Sequence, residues 1–576
     1  MTKQSEGTMR LRILATSDLH GKFVPWNYVL NEESMTGSLA QLATAVKEYR
    51  DEHTLLLDAG DSLQENSANL FVERGKTHPM VIGMNAIGYD VCLSGNHDYD
   101  YGIDTVRQYF NDLSACCLTG NVYDEDGNRL SKGYVIREIE GVRVAIIGMT
   151  TPVIAIMNKK QLGSCKVTDP LEETKAILKK IEGTYDVLIG LYHMGLRQEF
   201  NVANSSVAEI CQALPEFDLV IASHEHLLVK GTEINGVVTV MNKDQARTMS
   251  VIDFNLKQNN GKWEIVDKTT DSVDISTYPA DPELMERLKP YDEIARKDAE
   301  IVIGELRGGP LIEGMLWLGL PLMEIQATAL ANLILSVMRH YSGAKVAADA
   351  VGNPTANLLP GIIHKSDLAK IYKFSNRLSK VRMNGRHLKQ LMEWSVSYFN
   401  TYHDGDLTVS IKQDSHDYTY FYFDGVCYEI NISKEPGERI EHLTWPDETP
   451  VKEDDVFELA GNDYLCNTIL LNPGALFEAD DMPVLIDPDV FGECGGIREL
   501  IGDYIVNVKK GIIIPELKDN WRLTGINWDE EKHLQALKRA LEGNIPETFF
   551  DAVGHLYQAI TELDLIDLLG SGDREE

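Results

Sequence analysis

The chain is poor in the features that would place it in a membrane, a disulfide scaffold or on a polynucleotide. No apolar stretch reaches the roughly 20 residues needed to span a bilayer. The first nine residues, Met1 to Met9, hold no apolar signal core, so a cytoplasmic location is expected. Cysteine is scarce: there are eight in 576 residues, with Cys116 and Cys117 adjacent and no Cys-x-x-Cys. That usage fits reduced thiols rather than a disulfide framework. Positive charge is short as well, with 54 Lys and Arg against 89 Asp and Glu and a formal net charge of -35. Such a surface repels nucleic-acid backbone and anionic lipid, which leaves small molecules as partners. A small anion is still admissible where bound divalent cations invert the local field.

What remains is ordinary globular material, 43% hydrophobic and 25% charged, too long for one core. Short apolar runs alternate with amphipathic segments through the first half. Leu11 to Thr16, Thr54 to Asp58, Val91 to Leu93, Val142 to Gly148, Asp186 to Leu191 and Asp218 to Ala222 read as strands. Leu39, Leu42, Ala43 and Val46 recur at helical spacing, as do residues near Met80 to Ile87 and Leu171 to Ile181. This alternation predicts a largely parallel sheet covered by helices, in which ligands gather beyond the carboxyl ends of the strands.

The chemistry sits at those ends. Asp18 and His20 follow the first run, Gly60-Asp61 the second, and Gly95-Asn96-His97-Asp98-Tyr99-Asp100 the third; His193 and then His224 and His226 follow the later ones. In extended chain, positions i and i+2 share a side, so Asp18 with His20, and His224 with His226, are spaced to meet one ion. Asp18, His20, Asp61, Asn96, His193, His224 and His226 have the composition of a two-metal site. One cation would take Asp18, His20, Asp61 and His226, the other Asp61, Asn96, His193 and His224, with Asp61 as bridge. Two cations about 3.5–4 Å apart suit displacement at phosphorus. Oxygen and imidazole donors without thiolate point to Mn or Zn, with Fe, Co or Ni as alternatives.

Taken in order, Asp-x-His, Gly-Asp, Gly-Asn-His-Asp, a lone His and His-x-His resemble the calcineurin-like metallophosphoesterases. The longer Gly95–Asp100 motif, with Gln64 after Gly60-Asp61, resembles the 5'-nucleotidase and 2',3'-cyclic-nucleotide 2'-phosphodiesterase family. Ser223 stands where that family usually has glycine. The resemblance implies an N-terminal four-layer α/β/β/α domain and a second α+β nucleotide-binding domain. It further implies that His97 is no ligand but pairs with Asp100 and faces the phosphate, serving the leaving group while a metal-bridging hydroxide attacks phosphorus. For Asp98, helix capping is the favoured role.

The second half resembles the same family's C-terminal domain in Gly361 to Leu378, Met383 to Gly385, Asp424 to Ile430 and Asp519 to Arg522. The resemblance places the nucleotide base between Phe374 and Tyr464, with Asn376 beside it. Two departures stand out. No Asn-Gly-Gly-Ile-Arg segment appears near Ala347 to Asn353, and no Gly-Gly-Asp-Gly segment appears around Tyr464 to Thr468. The expected layout is a catalytic domain at 1–280, a polar helical linker at 281–303, a substrate domain at 304–527 and a helical extension at 528–576. A long helix is expected from Pro321 to Tyr341. Phe421 to Ile432 reads as an alternating strand run with an Asp-Gly turn signal, and Leu534, Leu537 and Leu541, with Leu556, Ile560 and Leu563 later, as an apolar helix face. The expected activity is hydrolysis of 2',3'-cyclic nucleotides and 3'-nucleotides. The alternatives are a 5'-nucleotidase or nucleotide-sugar hydrolase, a metal-loaded nucleotide-binding protein without turnover, or a scaffold whose terminal helices recruit a partner. The oligomeric state is left open.

Overall fold

A computed structural model describes residues 7–72, 76–199, 202–314, 322–350, 356–374, 376–413, 415, 417–541 and 556–564. The chain divides into two compact units, Met1–Glu300 and Ile301–Glu576.

Twelve strands build two six-stranded sheets in the first unit. In chain order they are β1 (Thr8–Thr16), β2 (Thr54–Asp58), β3 (Val91–Leu93), β4 (Cys116–Leu118), β5 (Tyr134–Ile139), β6 (Val142–Thr150), β7 (Val187–His193), β8 (Leu219–Ala222), β9 (Val229–Ile234), β10 (Val237–Met241), β11 (Thr248–Asn259) and β12 (Lys262–Asp274). The first sheet runs β12-β11-β1-β2-β3-β4 and the second β9-β10-β8-β7-β6-β5. Strands β1 to β4 are mutually parallel, as are β6, β7, β8 and β10; antiparallel strands close the remaining edges.

Strand alternation explains the layers. Leu11, Ile13 and Ala15 of β1 face one way and Leu14 the other; Leu55 and Leu57 of β2 oppose Leu56. The first set meets Val144, Ile146, Ile189 and Ile221 of the second sheet in a core between the sheets. Leu14, Leu56 and Cys92 instead meet α1 (Leu39–Tyr49) and α2 (Pro79–Ile87). After α3 (Ile103–Asp112), the outer face of the second sheet takes α4 (Pro170–Ile181) and α5 (Val207–Ala213), through Ala145, Leu188 and Val220. The result is the expected α/β/β/α order. A strand whose two faces are both buried must be apolar throughout, which is why β2 and β3 read as unbroken hydrophobic runs.

The segment expected as a linker falls in the first unit up to Glu300, and its last three residues in the second. Helix α6 (Pro282–Ala299) starts on an Asp281 cap that accepts the Leu284 N–H at 2.9 Å. Its Leu284, Leu288 and Ala295 are buried against α1 and α2. The abundant charges of this helix lie on its outer side and mask a narrow apolar stripe in the sequence.

The second unit is α+β. Its five-stranded sheet has the order Tyr422–Asp424, Val346–Asp349, Val456–Asn462, Leu378–Asn384, Val484–Asp487. The run from Phe421 to Ile432 does not fold back on itself. Gly425 turns it at φ 94°, and Cys427–Asn431 pairs with Ile440–Thr444 and Trp521–Thr524 in a separate sheet. The long helix expected from Pro321 is shorter: Leu322–Ile325 is one turn, and Ala329–Ser342 restarts on a Thr328 cap. Pro321 itself lies outside the described residues. In the terminal segment the helix Glu530–Leu541 buries Ala536 and His533, while Leu534 and, further on, Leu563 are exposed rather than on the apolar face. Its buried side is fixed by a His533 ring stacked 4.2 Å from Trp528, with its Nδ1 on the Leu407 carbonyl. Leu556 and Ile560 join Leu407 and Ala536 there, so this segment packs on the second unit. The side chains of Leu537 and Leu541 lie outside the described residues. Among the described residues no helix is long and apolar enough to cross a membrane, and none of the eight cysteines is in a disulfide.

Candidate active site

Five of the parallel strands of the first unit, β1, β2, β3, β7 and β8, present the foreseen side chains at their carboxyl ends. Five of these residues adopt left-handed backbone: Asp18 (φ 53°), His20 (φ 43°), Asp61 (φ 60°), His224 (φ 76°) and His226 (φ 57°). Such conformations cost about 1–3 kcal/mol each for residues other than glycine, so neighbouring bonds must enforce them. Here the Asp18 N–H donates to the Gly60 carbonyl at 2.8 Å, and the His20 N–H to the Asp61 carbonyl at 2.9 Å. The Gln245 N–H donates to the Asp18 carbonyl at 2.7 Å, and the His224 N–H to Asp18 Oδ1 at 3.1 Å. The glycines of the motifs are required by space. A Cβ at Gly95 would lie 2.2 Å from Asp61 Oδ1 and 2.4 Å from the His193 ring, and one at Gly60 would lie 2.4 Å from the Gly95 nitrogen.

The foreseen residues converge. Asp18, His20 and His226 form one cluster of donor atoms able to hold a cation, and Asp61, His193 and His224 form another. His20 Nε2 lies 3.1 Å from His226 Nε2, and His226 Nε2 lies 3.6 Å from Asp18 Oδ1. In the other cluster His193 Nε2 lies 3.1 Å from Asp61 Oδ2 and 3.0 Å from Asn96 Oδ1. Asp61 Oδ2 is also 4.0 Å from His20 Nε2, which puts this oxygen between the clusters.

The donor chemistry fits cations. Asp61 Oδ2 is fully buried and receives no hydrogen bond, whereas Oδ1 accepts the His97 N–H at 2.8 Å. His193 donates from Nδ1 to the Ala59 carbonyl at 2.7 Å, which turns the lone pair of Nε2 toward two oxygen acceptors. Acceptors facing one another need a positive charge between them, supplied by a proton or a metal ion. Without a metal the proton takes that place: burial opposes a charged His193, yet Asp61 outweighs it and pushes the imidazole up to about 10. Burial likewise works against the Asp61 carboxylate, but the charge on His193 holds it well below the usual range. Burial keeps His226 down to about 4, hence neutral and ready to donate a lone pair near neutral pH.

His97 stands apart from both clusters. Its Nδ1 is 2.9 Å from Asp100 Oδ2, its ring is 5.5 Å from that of His20, and its side chain is partly exposed. Asp98 does not cap a helix. It accepts the N–H groups of Asp61, Ser62, Leu63 and Gly95 at 2.9–3.0 Å and so ties the Gly60-Asp61 turn to the Gly95-Asn96 turn. A buried carboxylate with both oxygens doubly accepting is a structural clamp, and no short motif announces it. Gln64 lies 3.3 Å from His20 Nδ1. Ser223 places its hydroxyl 3.1 Å from both His193 Nδ1 and the Tyr192 carbonyl.

Two further side chains escape the sequence. Glu199, whose burial is outweighed by His224 so that its carboxyl stays below the usual range, sits 3.0 Å from His224 Nε2. Asn158 donates to Asp100 Oδ1 at 2.9 Å. Both come from loops far along the chain, and no residue pattern marks them.

In the second unit Phe374 and Tyr464 pack partly buried against the main core. Lys373 Nζ lies 4.9 Å from the Phe374 ring centre, and Tyr418 meets Tyr464 edge-on at 5.7 Å. The Asn376 carbonyl accepts the Ile497 N–H, so its backbone is anchored to the helix Ile497–Asp503. Part of the expected arginine-bearing segment, residues 351–353, lies outside the described residues.

Comparison with known proteins agrees with this geometry. The calcineurin-like phosphoesterase family matches residues 11–228, and the 5'-nucleotidase C-terminal domain matches residues 316–468. The chain therefore carries a calcineurin-like phosphoesterase domain followed by a 5'-nucleotidase C-terminal domain: it is a phosphoric ester hydrolase. It is 24% identical to the trifunctional nucleotide phosphoesterase protein YfkN of Bacillus subtilis, over 90% of this chain but only 39% of that protein's length. It is 25% identical to the 2',3'-cyclic-nucleotide 2'-phosphodiesterase/3'-nucleotidase of Haemophilus influenzae, over 90% of this chain and 88% of the relative. A Staphylococcus aureus 5'-nucleotidase candidate, solved with alpha-ketoglutarate, has the same fold with a TM-score of 0.68. It is 18% identical and covers 89% of this chain and 100% of its own.

Proposed function

We propose that the chain hydrolyses nucleotide phosphate esters, first among them 2',3'-cyclic nucleotides and 3'-nucleotides. Asp18, His20, Asp61 and His226 would hold one divalent cation, and Asp61, Asn96, His193 and His224 the other. The observation that supports this most is the buried, donor-free Asp61 Oδ2 lying between two imidazole clusters. Mn or Zn suits these donors, with Fe, Co or Ni as alternatives. Two such cations polarise a phosphoryl oxygen and acidify a bound water. The chain's own residues do the rest. Ala59 fixes the His193 ring through Nδ1, and Glu199 touches the His224 ring. Asp98 holds the two turns that carry Asp61 and Asn96 in register.

His97 serves the leaving group. Asp100 holds the ring through Nδ1 and is itself steadied by Asn158, and the ring would protonate the departing alkoxide oxygen through Nε2. In the second unit Phe374, Tyr464 and Asn376 are the proposed base-binding positions. The Haemophilus relative's name, over nearly the whole of both chains, supports the choice of cyclic and 3'-esters.

The test is phosphate release from a panel of 2',3'-cyclic, 3'- and 5'-nucleotides with Mn or Zn. Release from the cyclic and 3'-esters, abolished by a chelator and restored by the metal, is the expected result. Preference for 5'-monophosphates or nucleotide sugars would replace the ester assignment and keep the metal site. Tight nucleotide binding without release under any of these metals would overturn hydrolysis altogether.

A further inference from the structure

A groove of about 610 Å³ opens where the two sheets of the first unit end side by side, at the edge strands β4 and β5 and the flank of α3. None of the foreseen metal-cluster residues lines it. Its size falls within the range of small-molecule sites, about 300–1,000 Å³.

The lining is unusual for this chain. Arg107, Lys132 and Arg137 contribute to it, and no Asp or Glu does, although acidic residues outnumber basic ones 89 to 54 overall. The cations are poorly neutralised. Lys132 is exposed and has no ion pair among the described residues. Among the described residues Arg107 has one ion pair, with Asp104 at 3.4 Å on the surface. Arg137 gives one terminal nitrogen to the Asp90 carbonyl at 3.0 Å, yet its buried Nε has no acceptor. Guanidinium and ammonium groups together select phosphate: the first offers a planar fork of donors and the second a point charge. Ser131 adds a hydroxyl to the lining, and Phe110 an apolar wall.

We infer that this groove is a second anion site, separate from the metal clusters, that takes a phosphate-bearing small molecule. On a chain of net charge -35, a groove lined by three basic groups and no acidic one is a place where an anion is drawn in. Arg107 stands on α3, and α3 packs against the His97–Tyr99 turn, so the bound anion lies one helix away from the leaving-group histidine.

Cys116 gives a local readout, because it lines the groove and is partly exposed. The protein with its metals would be treated with iodoacetamide and the Cys116 peptide followed by mass spectrometry, with inorganic pyrophosphate or adenosine added. Pyrophosphate is expected to slow Cys116 alkylation saturably, about tenfold at ten times its Kd, since only free protein reacts. Lys132→Glu, on the surface, should abolish that protection while phosphate-ester turnover stays at the wild-type level; Lys132→Gln should weaken it. The inference is overturned if pyrophosphate gives no protection, if Lys132→Glu is protected like the wild type, or if adenosine protects as well as pyrophosphate. Because the readout is at Cys116, it separates this site from the metal clusters: loss of turnover with protection intact would count against the proposed reaction alone.

Discussion

Asp100 grips the His97 ring from one side while Asn158 grips Asp100 from the other, each at 2.9 Å. The pairing commits Nδ1 to the carboxylate, and the ring cannot turn without breaking the contact. A positioned general acid contributes roughly 10²–10⁴-fold to rate. Replacing His97 with Ala should lower kcat within that range and leave two metals bound. Metal analysis beside steady-state kinetics decides it: an unchanged kcat removes His97 from the reaction, and lost metal makes it a ligand.

Asp61 is the residue both clusters share. Asp61→Ala removes the one oxygen lying between them and leaves His193 Nε2 without its carboxylate. Turnover should fall to background and the metal content below two per chain. The variant should also lose the thermal stabilisation that added Mn gives the wild type, because ligand binding stabilises only a state that can bind. Wild-type turnover in this variant would show that the metals are held elsewhere.

Glu199 contacts His224 by both carboxylate oxygens, at 3.0 and 3.2 Å. A carboxylate behind a ligand histidine orients the ring and raises its basicity, and losing it typically weakens metal binding about 10–100-fold. Glu199→Gln keeps the shape and removes the charge. Competition against a chromogenic chelator should show the loss at the weaker of the two metals, even where excess metal restores activity. Equal affinity in both proteins would reduce Glu199 to a surface partner of the loop.

The contrast between Glu199 and the foreseen ligands shows what a sequence of this kind reveals. Asp18 with His20, and His224 with His226, are legible because each pair follows an apolar run at once, and a strand end is a fixed direction in space. Glu199 and Asn158 act across 25 and 58 residues from loops without periodicity, so only the folded chain brings them in. Asp98 was legible as a carboxylate beside a turn, but the four N–H groups it holds come from two motifs at once. The sheets were readable from alternation, since both faces of β1 and β2 are buried. Helix α6 was obscured because only four of its eighteen residues, Leu284, Leu288, Ala295 and Ala299, are buried. Leu534 was misplaced because a stacked Trp528–His533 pair, rather than leucine, fixes which side of that helix faces inward.

Asp98 lends itself to a stability test that is independent of turnover. Asp98→Ala orphans four backbone N–H groups in a buried place, and each unsatisfied donor costs about 1–3 kcal/mol before relaxation. The first unit should lose several kcal/mol, seen as a lower urea midpoint, and metal affinity should fall with it because both ligand turns are released. Asp98→Asn keeps one carbonyl acceptor and should lose less. If Asp98→Ala unfolds at the wild-type midpoint, the clamp is not what holds the turns.

The second unit can be tested through the substrate. If Phe374 and Tyr464 stack on the base, removing either ring affects only substrates that have one. Base stacking is worth about 1–3 kcal/mol, which corresponds to a rise in KM of roughly 5- to 150-fold. Tyr464→Ala and Phe374→Ala should therefore raise KM for cyclic adenosine phosphate while leaving bis(4-nitrophenyl) phosphate hydrolysis within about twofold of wild type. Tyr464 is the more telling position. Its neighbour Tyr418 is itself partly exposed and meets it edge-on, so a ring lost at 464 leaves an aromatic wall beside the gap. A Tyr464→Phe variant keeps the stacking face without the hydroxyl and should retain the wild-type KM. Equal losses on the nucleotide and the nitrophenyl ester would mean that the ring supports the fold of the second unit, and base recognition would then have to be sought elsewhere.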